Sequence, residues 1–313
     1  MGLLVHTKFP DTTNPKFNFV EWNRQFIKNN VIIYGNYSSA FFDTHWTPLS
    51  IKNAFKGTEY YVIGNIKYGV DDTNYLITNH DTMYESYINS DSKVESFTLN
   101  FHKEFVLDVF NAFSNSDEFL LDYPEIRDKN PVNFFEKLYP RNEKIILYLN
   151  RIKSLINRTE YDYAIINELL HIILDRLFHL QLKTYCDSEK IESKKKSTRL
   201  ELYRRLNLAK DYVHSNFGRK IGLSDLAKIS CLSSHHLLRK FKAVFGITPH
   251  QYLTFRRLEQ AKYLLINSSK SVTEICLIAG FESLSSFGDL FKKKYLHSPY
   301  NFRKVHQKKS IFR

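Results

Sequence analysis

Two stretches of this 313-residue chain decide how its carboxy-terminal third folds. The first is Leu223-Ser224-Asp225-Leu226-Ala227-Lys228-Ile229-Ser230-Cys231-Leu232-Ser233-Ser234-His235-His236-Leu237-Leu238-Arg239-Lys240-Phe241-Lys242. The second is Val272-Thr273-Glu274-Ile275-Cys276-Leu277-Ile278-Ala279-Gly280-Phe281-Glu282-Ser283-Leu284-Ser285-Ser286-Phe287-Gly288-Asp289-Leu290-Phe291-Lys292. Each reads as a short helix, a tight turn and a second helix opened by Ser. Leu226 and Ile275 face inward, and the small neighbours Ala227 and Cys276 let the second helix approach closely. The turns fall at Cys231 and Gly280, and each is followed by an apolar plug, Leu232 or Phe281. Ser233 and Ser283 are suited to cap the second helices. Leu237 and Phe241, like Phe287 and Phe291, stand four apart and pin one helical face. The opposite face is left to enter a major groove.

The flanks repeat as well. Thr248 and Ser298 each precede a Pro, a capped start with Pro at the first helical position. A helix from Pro249 to about Asn267 separates the two motifs and carries Arg257-Leu258-Glu259-Gln260-Ala261 with Leu264 and Leu265.

On these motifs, residues 200–304 resemble the DNA-binding domain of the AraC/XylS family of bacterial transcription regulators. The resemblance implies a seven-helix domain with two helix-turn-helix units that read successive major grooves, with double-stranded DNA and RNA polymerase as partners. It implies base-reading roles for Ser234, His235, Leu238 and Arg239 in the first unit, and for Leu284, Ser285, Ser286 and Asp289 in the second. It also implies an amino-terminal cupin-like barrel that senses a small-molecule effector, followed by dimerising helices. Two positions depart from the pattern. Cys231 and Leu296 stand where similar proteins often have Gly, and a left-handed backbone there would cost roughly 1 kcal/mol.

Among the base readers Arg239 ranks first, because a guanidinium can make a two-point contact with guanine O6 and N7. His235 can donate or accept at a base edge. Asp289, where related proteins often have Arg, repels phosphate but can accept from the cytosine amino group. The first unit is therefore expected to supply most of the base discrimination. Lys242, Lys292, Lys293 and Lys294 are expected to meet phosphates. Arg256 and Arg257 suit either a phosphate or an internal partner, and Arg257 reads as structural.

Charge supports this division. The chain carries a formal net +12, yet residues 199–313 hold 22 basic and 7 acidic residues, a net of +15, while residues 1–198 come to −3. Such asymmetry fits one domain that meets a polyanion and another that does not.

Upstream, Val31–Tyr34, Ser39–His45, Leu49–Phe55, Thr58–Ile63, Ile66–Val70, Asn74–Thr78, Thr82–Ile88 and Val94–Phe101 read as about eight short strands. Gly64-Asn65 forms a two-residue hairpin turn, and Asn89-Ser90-Asp91 a further turn cluster. An antiparallel barrel or jelly roll is expected. Helical spacing then appears at Phe105, Val106, Val109, Phe110 and Phe113, and again at Ile145, Ile146, Leu149, Ile152 and Ile156. Over Tyr161–Tyr185, Ile166, Leu170, Ile173, Leu177 and Leu180 alternate by four and three, a stripe that suits either a core or a dimer seam.

The expected organisation is α+β and multidomain: a cupin-like β-barrel over 1–120, a helical connector over 121–187, a polar linker over 188–198, the double helix-turn-helix domain over 199–305 and a basic tail over 306–313. A homodimer through Tyr161–Tyr185 is expected, in the cytoplasm and bound to the nucleoid through DNA.

Other classes find little support. No stretch approaches eighteen consecutive apolar residues, so no membrane span is expected. The first residues lack a basic region followed by a long apolar core, so no secretory signal is expected. Cys186, Cys231 and Cys276 are too few and too scattered for a disulfide framework or a zinc site. A cupin metalloenzyme would need converging imidazoles; there is no His-x-His, and His45, His80 and His102 are isolated. A DNA-repair alkyltransferase with the same DNA-binding domain would need a cysteine acceptor, and residues 1–185 contain none. No cofactor is expected. A constitutive DNA-binding protein whose barrel serves only dimerisation stays open. So does the use of Phe41, Phe42, Tyr60, Tyr61, Tyr68, Tyr75, Tyr84 and Tyr87, which suit a core or a ligand pocket.

Overall fold

Alternation of apolar side chains along the first hundred residues builds a sheet buried on both faces, and the computed structural model shows how. It describes residues 2–12, 14–115, 132–141, 143–158 and 162–310. The chain divides into two compact units, Met1–Glu189 and Lys190–Arg313.

The first unit comprises β1 (Gly2–His6), α1 (Phe19–Lys28), β2 (Asn29–Thr47), β3 (Ser50–Lys56), β4 (Glu59–Ile63), β5 (Ile66–Val70), β6 (Asn74–Thr78), β7 (Thr82–Asn100), α2 (Lys103–Ser114), β8 (Leu138–Pro140), α3 (Glu143–Ile156) and α4 (Tyr163–Ser188). Among the described residues, eight strands form one sheet in the order β1-β2-β7-β3-β6-β8, with the β4–β5 hairpin attached to β7. The expected hairpin is present, and Gly64 takes φ 57° at its turn.

Three expectations need correction. The sheet does not close into a barrel: among the described residues β1 and β8 remain at its two ends. Nor is it purely antiparallel, because β1 runs parallel to β2. Finally, the two short segments on either side of Tyr37 are one 19-residue strand, β2, and those on either side of Asn89 are another, β7. The polar Asn89-Ser90-Asp91 cluster is no chain reversal. The pairing moves from Tyr37–Val94 to Ser39–Asn89, so the extra residues of β7 bulge out and the strand continues.

Period-two alternation sends Ile51, Tyr75, Ile77, Phe97 and Leu99 to one face, where they pack with Ile145, Leu149, Ile166, Leu170, Ile173 and Leu177 of the helices. Ala54, Tyr61, Leu76, Tyr84 and Val94 cluster separately, on alternate positions of the same strands. The α4 stripe is therefore spent on its own chain: Ile166, Leu170, Ile173 and Leu177 are at most 1% exposed. Core packing is the outcome, and the expected dimer seam on those residues is corrected. Of the connector expected over 121–187, residues 121–131 lie outside the described residues, as does Tyr161. The remainder packs with the sheet in one unit, with β8 pairing β6.

The second unit has seven helices among its described residues: α5 (Lys196–Asn216), α6 (Leu223–Ile229), α7 (Ser234–Phe245), α8 (Pro249–Asn267), α9 (Val272–Ile278), α10 (Leu284–Tyr295) and α11 (Pro299–Ser310). In the polar stretch before α5, Ile191 is buried, and the Arg199 guanidinium donates to the carbonyls of Ser193 and Lys194. The end of the expected basic tail, 311–313, lies outside the described residues.

Candidate nucleic-acid interface

Each turn between paired helices is closed by the same two bonds. Cys231 N donates to Lys228 O and Leu232 N to Ala227 O; in the second motif Gly280 N donates to Leu277 O and Phe281 N to Cys276 O. Such closure needs a left-handed residue. Gly280 supplies it at φ 87°, whereas Cys231 adopts φ 50° in spite of its Cβ. The second helices also end alike, Gly246 at φ 77° and Leu296 at φ 64°. Both departures from glycine thus keep the local geometry.

Ser233 Oγ accepts from His236 N, and Ser283 Oγ from Ser286 N, which starts α7 and α10 where the sequence indicated. Leu226, Ala227, Leu237 and Phe241 are buried in the first motif, as are Ile275, Cys276, Phe287 and Phe291 in the second. Thr248 caps α8 by accepting from Gln251 N, with Pro249 in the first helical turn. At 19 residues α8 is about 28 Å long. It packs against α5 and α7 on one side of the pair and α9 and α11 on the other, so both motifs share one spine.

Burying one stripe of each second helix leaves the other in solvent. Ser234, His235, Leu238, Arg239 and Lys242 are exposed on α7; Leu284, Ser285, Ser286, Asp289, Lys292 and Lys293 are exposed on α10. The α7 face is electropositive. Burial first, then the charges of Arg239 and Lys240, hold the His236 imidazole below its ordinary value, which leaves it neutral near pH 7.

Lys294 differs from the other lysines. Its Nζ lies 2.6 Å from Glu259 Oε1 and 3.7 Å from the Phe255 ring centroid, and Tyr295 Oη donates to the same carboxylate oxygen. This cation ties α10 to α8. The two ambiguous arginines are also structural. Arg256 is buried and donates to His214 Nε2, while Arg257 donates to the carbonyls of Phe217 and Arg219.

The sequence reading missed a second place of interest, in the amino-terminal unit. A cavity of about 60 Å³ is lined by Phe9, Trp22, Phe26, Phe42, His45, Trp46, Lys52, Glu59, Tyr61, Tyr84 and others. Lys52 and Glu59 sit where an alternating strand would place solvent-facing residues, yet they are 2% and 3% exposed. A polar residue between Ile51 and Ala54, in a strand long enough to be covered twice, was the available signal. Of the aromatic residues singled out earlier, Tyr61, Tyr84 and Phe42 line the cavity, while Tyr75 stacks on Tyr139 outside it. Among the described residues no cluster of His, Cys, Asp and Glu is arranged to hold a metal ion, and no helix is long and apolar enough to cross a membrane.

Two capped helix pairs on one spine, each with an exposed second helix, define a DNA-binding domain of the double helix-turn-helix class. Residues 226–305 match the family model described as a helix-turn-helix domain. The chain is 25% identical over 196 residues to the probable transcriptional regulator LumQ of Photobacterium leiognathi, covering 62% of this chain and 74% of that one. It is 36% identical over 93 residues to the transcriptional activator RhaS of Yersinia pestis, covering 30% of this chain and 34% of that one. It is 35% identical over 100 residues to the bifunctional transcriptional activator and DNA repair enzyme AdaA of Bacillus subtilis, covering 32% and 47%. Residues 226–305 thus form a helix-turn-helix domain of the AraC type, and the proteins the chain is similar to are named as transcriptional regulators. The likeness to AdaA is confined to the helix-turn-helix region and covers under half of that enzyme.

Proposed function

We propose that α7 and α10 enter successive major grooves on one face of a duplex, about 34 Å apart, and that α7 supplies most of the base discrimination. Arg239 reads guanine through O6 and N7, with Ser234, His235 and Leu238 beside it. Leu284, Ser285, Ser286 and Asp289 of α10 contribute shape and a cytosine preference at Asp289. Lys242, Lys292 and Lys293 meet phosphates, while Lys294 acts inside the domain. The single observation that carries this reading is that the side chains left exposed on two independently capped second helices are those that the resemblance assigns to base contact.

The protein acts in the cytoplasm without a catalytic step, on DNA and with RNA polymerase. A small-molecule effector enters the amino-terminal cavity and shifts the protein's occupancy of a promoter. The homodimer uses a surface other than the buried α4 stripe; Tyr163, Ile165 and Leu182 are exposed on that helix. Light scattering of the full chain tests the assembly, and a monomer at all concentrations would remove it.

Binding-site selection with Arg239→Ala and Asp289→Ala tests the ranking of the two helices. Arg239→Ala should relax preference at one guanine and cost about 1–3 kcal/mol. An equal or larger loss of specificity from Asp289→Ala would overturn the ranking.

A further inference from the structure

Around the amino-terminal cavity, the two buried charges are satisfied unequally. The Glu59 carboxylate accepts from Ser96 Oγ at 2.6 Å and from the hydroxyls of Tyr61 and Ser86. Tyr61 is held in turn by Thr98. The Lys52 ammonium has three donors. Among the described residues it has one acceptor, Tyr84 Oη at 2.9 Å, and it lies 4.5 Å and 5.8 Å from the Tyr84 and Tyr61 ring centroids. Glu59 attracts it across the cavity wall, but no ion pair joins the two. A buried cation with donors to spare, in a cavity lined by aromatic rings together with Thr47, Glu59, Ser86, Thr98 and Asn100, is suited to take an anionic group.

We propose that this cavity binds a small monocarboxylate, with its anionic group on the Lys52 ammonium beside Tyr84 and its apolar body among Trp22, Phe26, Phe42 and Trp46. The assignment rests on the reading of the amino-terminal unit as an effector sensor, and it names the ligand's chemistry. Size agrees. One water needs roughly 10–15 Å³ of such space, so a cavity of about 60 Å³ takes the volume of a short-chain or single-ring acid. The carboxylate would supply the acceptors that Lys52 lacks, and the rings would bury the remainder.

Electrostatics adds a pH signature. Burial pushes the empty-site Lys52 amine down to about 7, opposed by the charge of Glu59. The groups that face it are Glu59, raised by burial; Tyr61 and Tyr84, raised by burial; and His45, lowered by burial and by Lys52 itself. The tyrosines do not ionise near neutrality, burial holds His45 below its ordinary value, and burial raises Glu59. Loss of the Lys52 charge weakens anion binding as pH rises through about 7, and any ionisation of Glu59 in that range would act in the same sense. An anion that needs the ammonium should bind more weakly, by roughly severalfold or more, at pH 8.5 than at pH 6.5.

The chain contains two tryptophans, Trp22 and Trp46, and both line the cavity. Their fluorescence reports occupancy directly, without reference to DNA. The full chain is titrated with acetate, butyrate, hexanoate and benzoate, with the matching amides, and with glucose, at both pH values. The expected result is a saturable change with at least one acid, at least about tenfold weaker with its amide and weaker at pH 8.5, and abolished in Lys52→Gln. Equal response to acid and amide, a flat pH dependence, retained binding in a Lys52→Gln protein of unchanged circular dichroism, a response to glucose alone, or no response to any acid up to about 10 mM overturns the assignment. Should Lys52→Gln fail to fold, the amide and pH comparisons on the unaltered chain decide. Binding of the same preparation to duplex DNA is measured in parallel. Intact DNA binding without an acid response sinks the carboxylate alone, whereas absent DNA binding counts against the regulator reading itself.

Discussion

Cys231, Gly280 and Leu296 share a left-handed backbone but differ in what surrounds them. Leu296 is 82% exposed, so its strain of about 1–2 kcal/mol is relieved by Leu296→Gly, less about 0.4–1 kcal/mol of added chain entropy in the unfolded state. A net gain of about 0.5 kcal/mol is expected and is read from chemical denaturation. Gly280→Ala should do the reverse by a wider margin, because a Cβ there would stand 2.8 Å from Phe217 O and 3.0 Å from Arg257 Nε. Lys52 has its own consequence. Its folded pKa, about 7, lies below the unfolded value near 10.5. Between these values the unfolded chain binds more protons, so the amino-terminal unit should gain stability as pH rises from about 7 towards 10. Lys52→Met should flatten that rise; an unchanged slope in thermal denaturation would assign it to other groups.

Among the elements, α4 gives the sharpest test. Ile166, Leu170, Ile173 and Leu177 of its stripe are buried in its own unit and Leu180 partly so, so Leu170→Ala should cost about 2–5 kcal/mol and leave the oligomeric state unchanged. The caps of α7 and α10 should cost about 1 kcal/mol each on Ser233→Ala or Ser283→Ala, measured by thermal unfolding. What was legible in the sequence follows from the same distinction between local and remote causes. Both helix-turn-helix units were readable in full, because caps, turn bonds and pinning pairs all lie within about twenty residues of one another. The continuity of β2 through Tyr37 and of β7 through Asn89-Ser90-Asp91 was not, because a polar bulge and a turn use the same residue types, and only the partner strand decides between them. The α4 periodicity fixed a helix and its apolar face, but period alone does not say what covers that face. Lys52 and Glu59 left only a weak signal of a site, since polar residues within a strand ordinarily mark its solvent side; burial came from the fold of the whole sheet.

For the whole molecule, the separation of charge governs binding. The excess of +15 lies in residues 199–313, on helices that leave Arg239, Lys242, Lys292 and Lys293 in solvent. With roughly 6–10 phosphate contacts, affinity for duplex should fall by about 10³–10⁵ between roughly 50 and 200 mM salt. A near-flat response would mean that these cations do not face phosphate. The shared α8 spine adds a constraint that charge alone does not: α7 and α10 belong to motifs packed on one helix, so under the proposed reading the spacing of their targets is fixed. Selection of bound duplexes by the full chain from a randomised pool measures that spacing directly. The account predicts two enriched blocks separated by about one helical turn, 10–10.5 base pairs; a pool with no enriched sequence, or a single block, would contradict it.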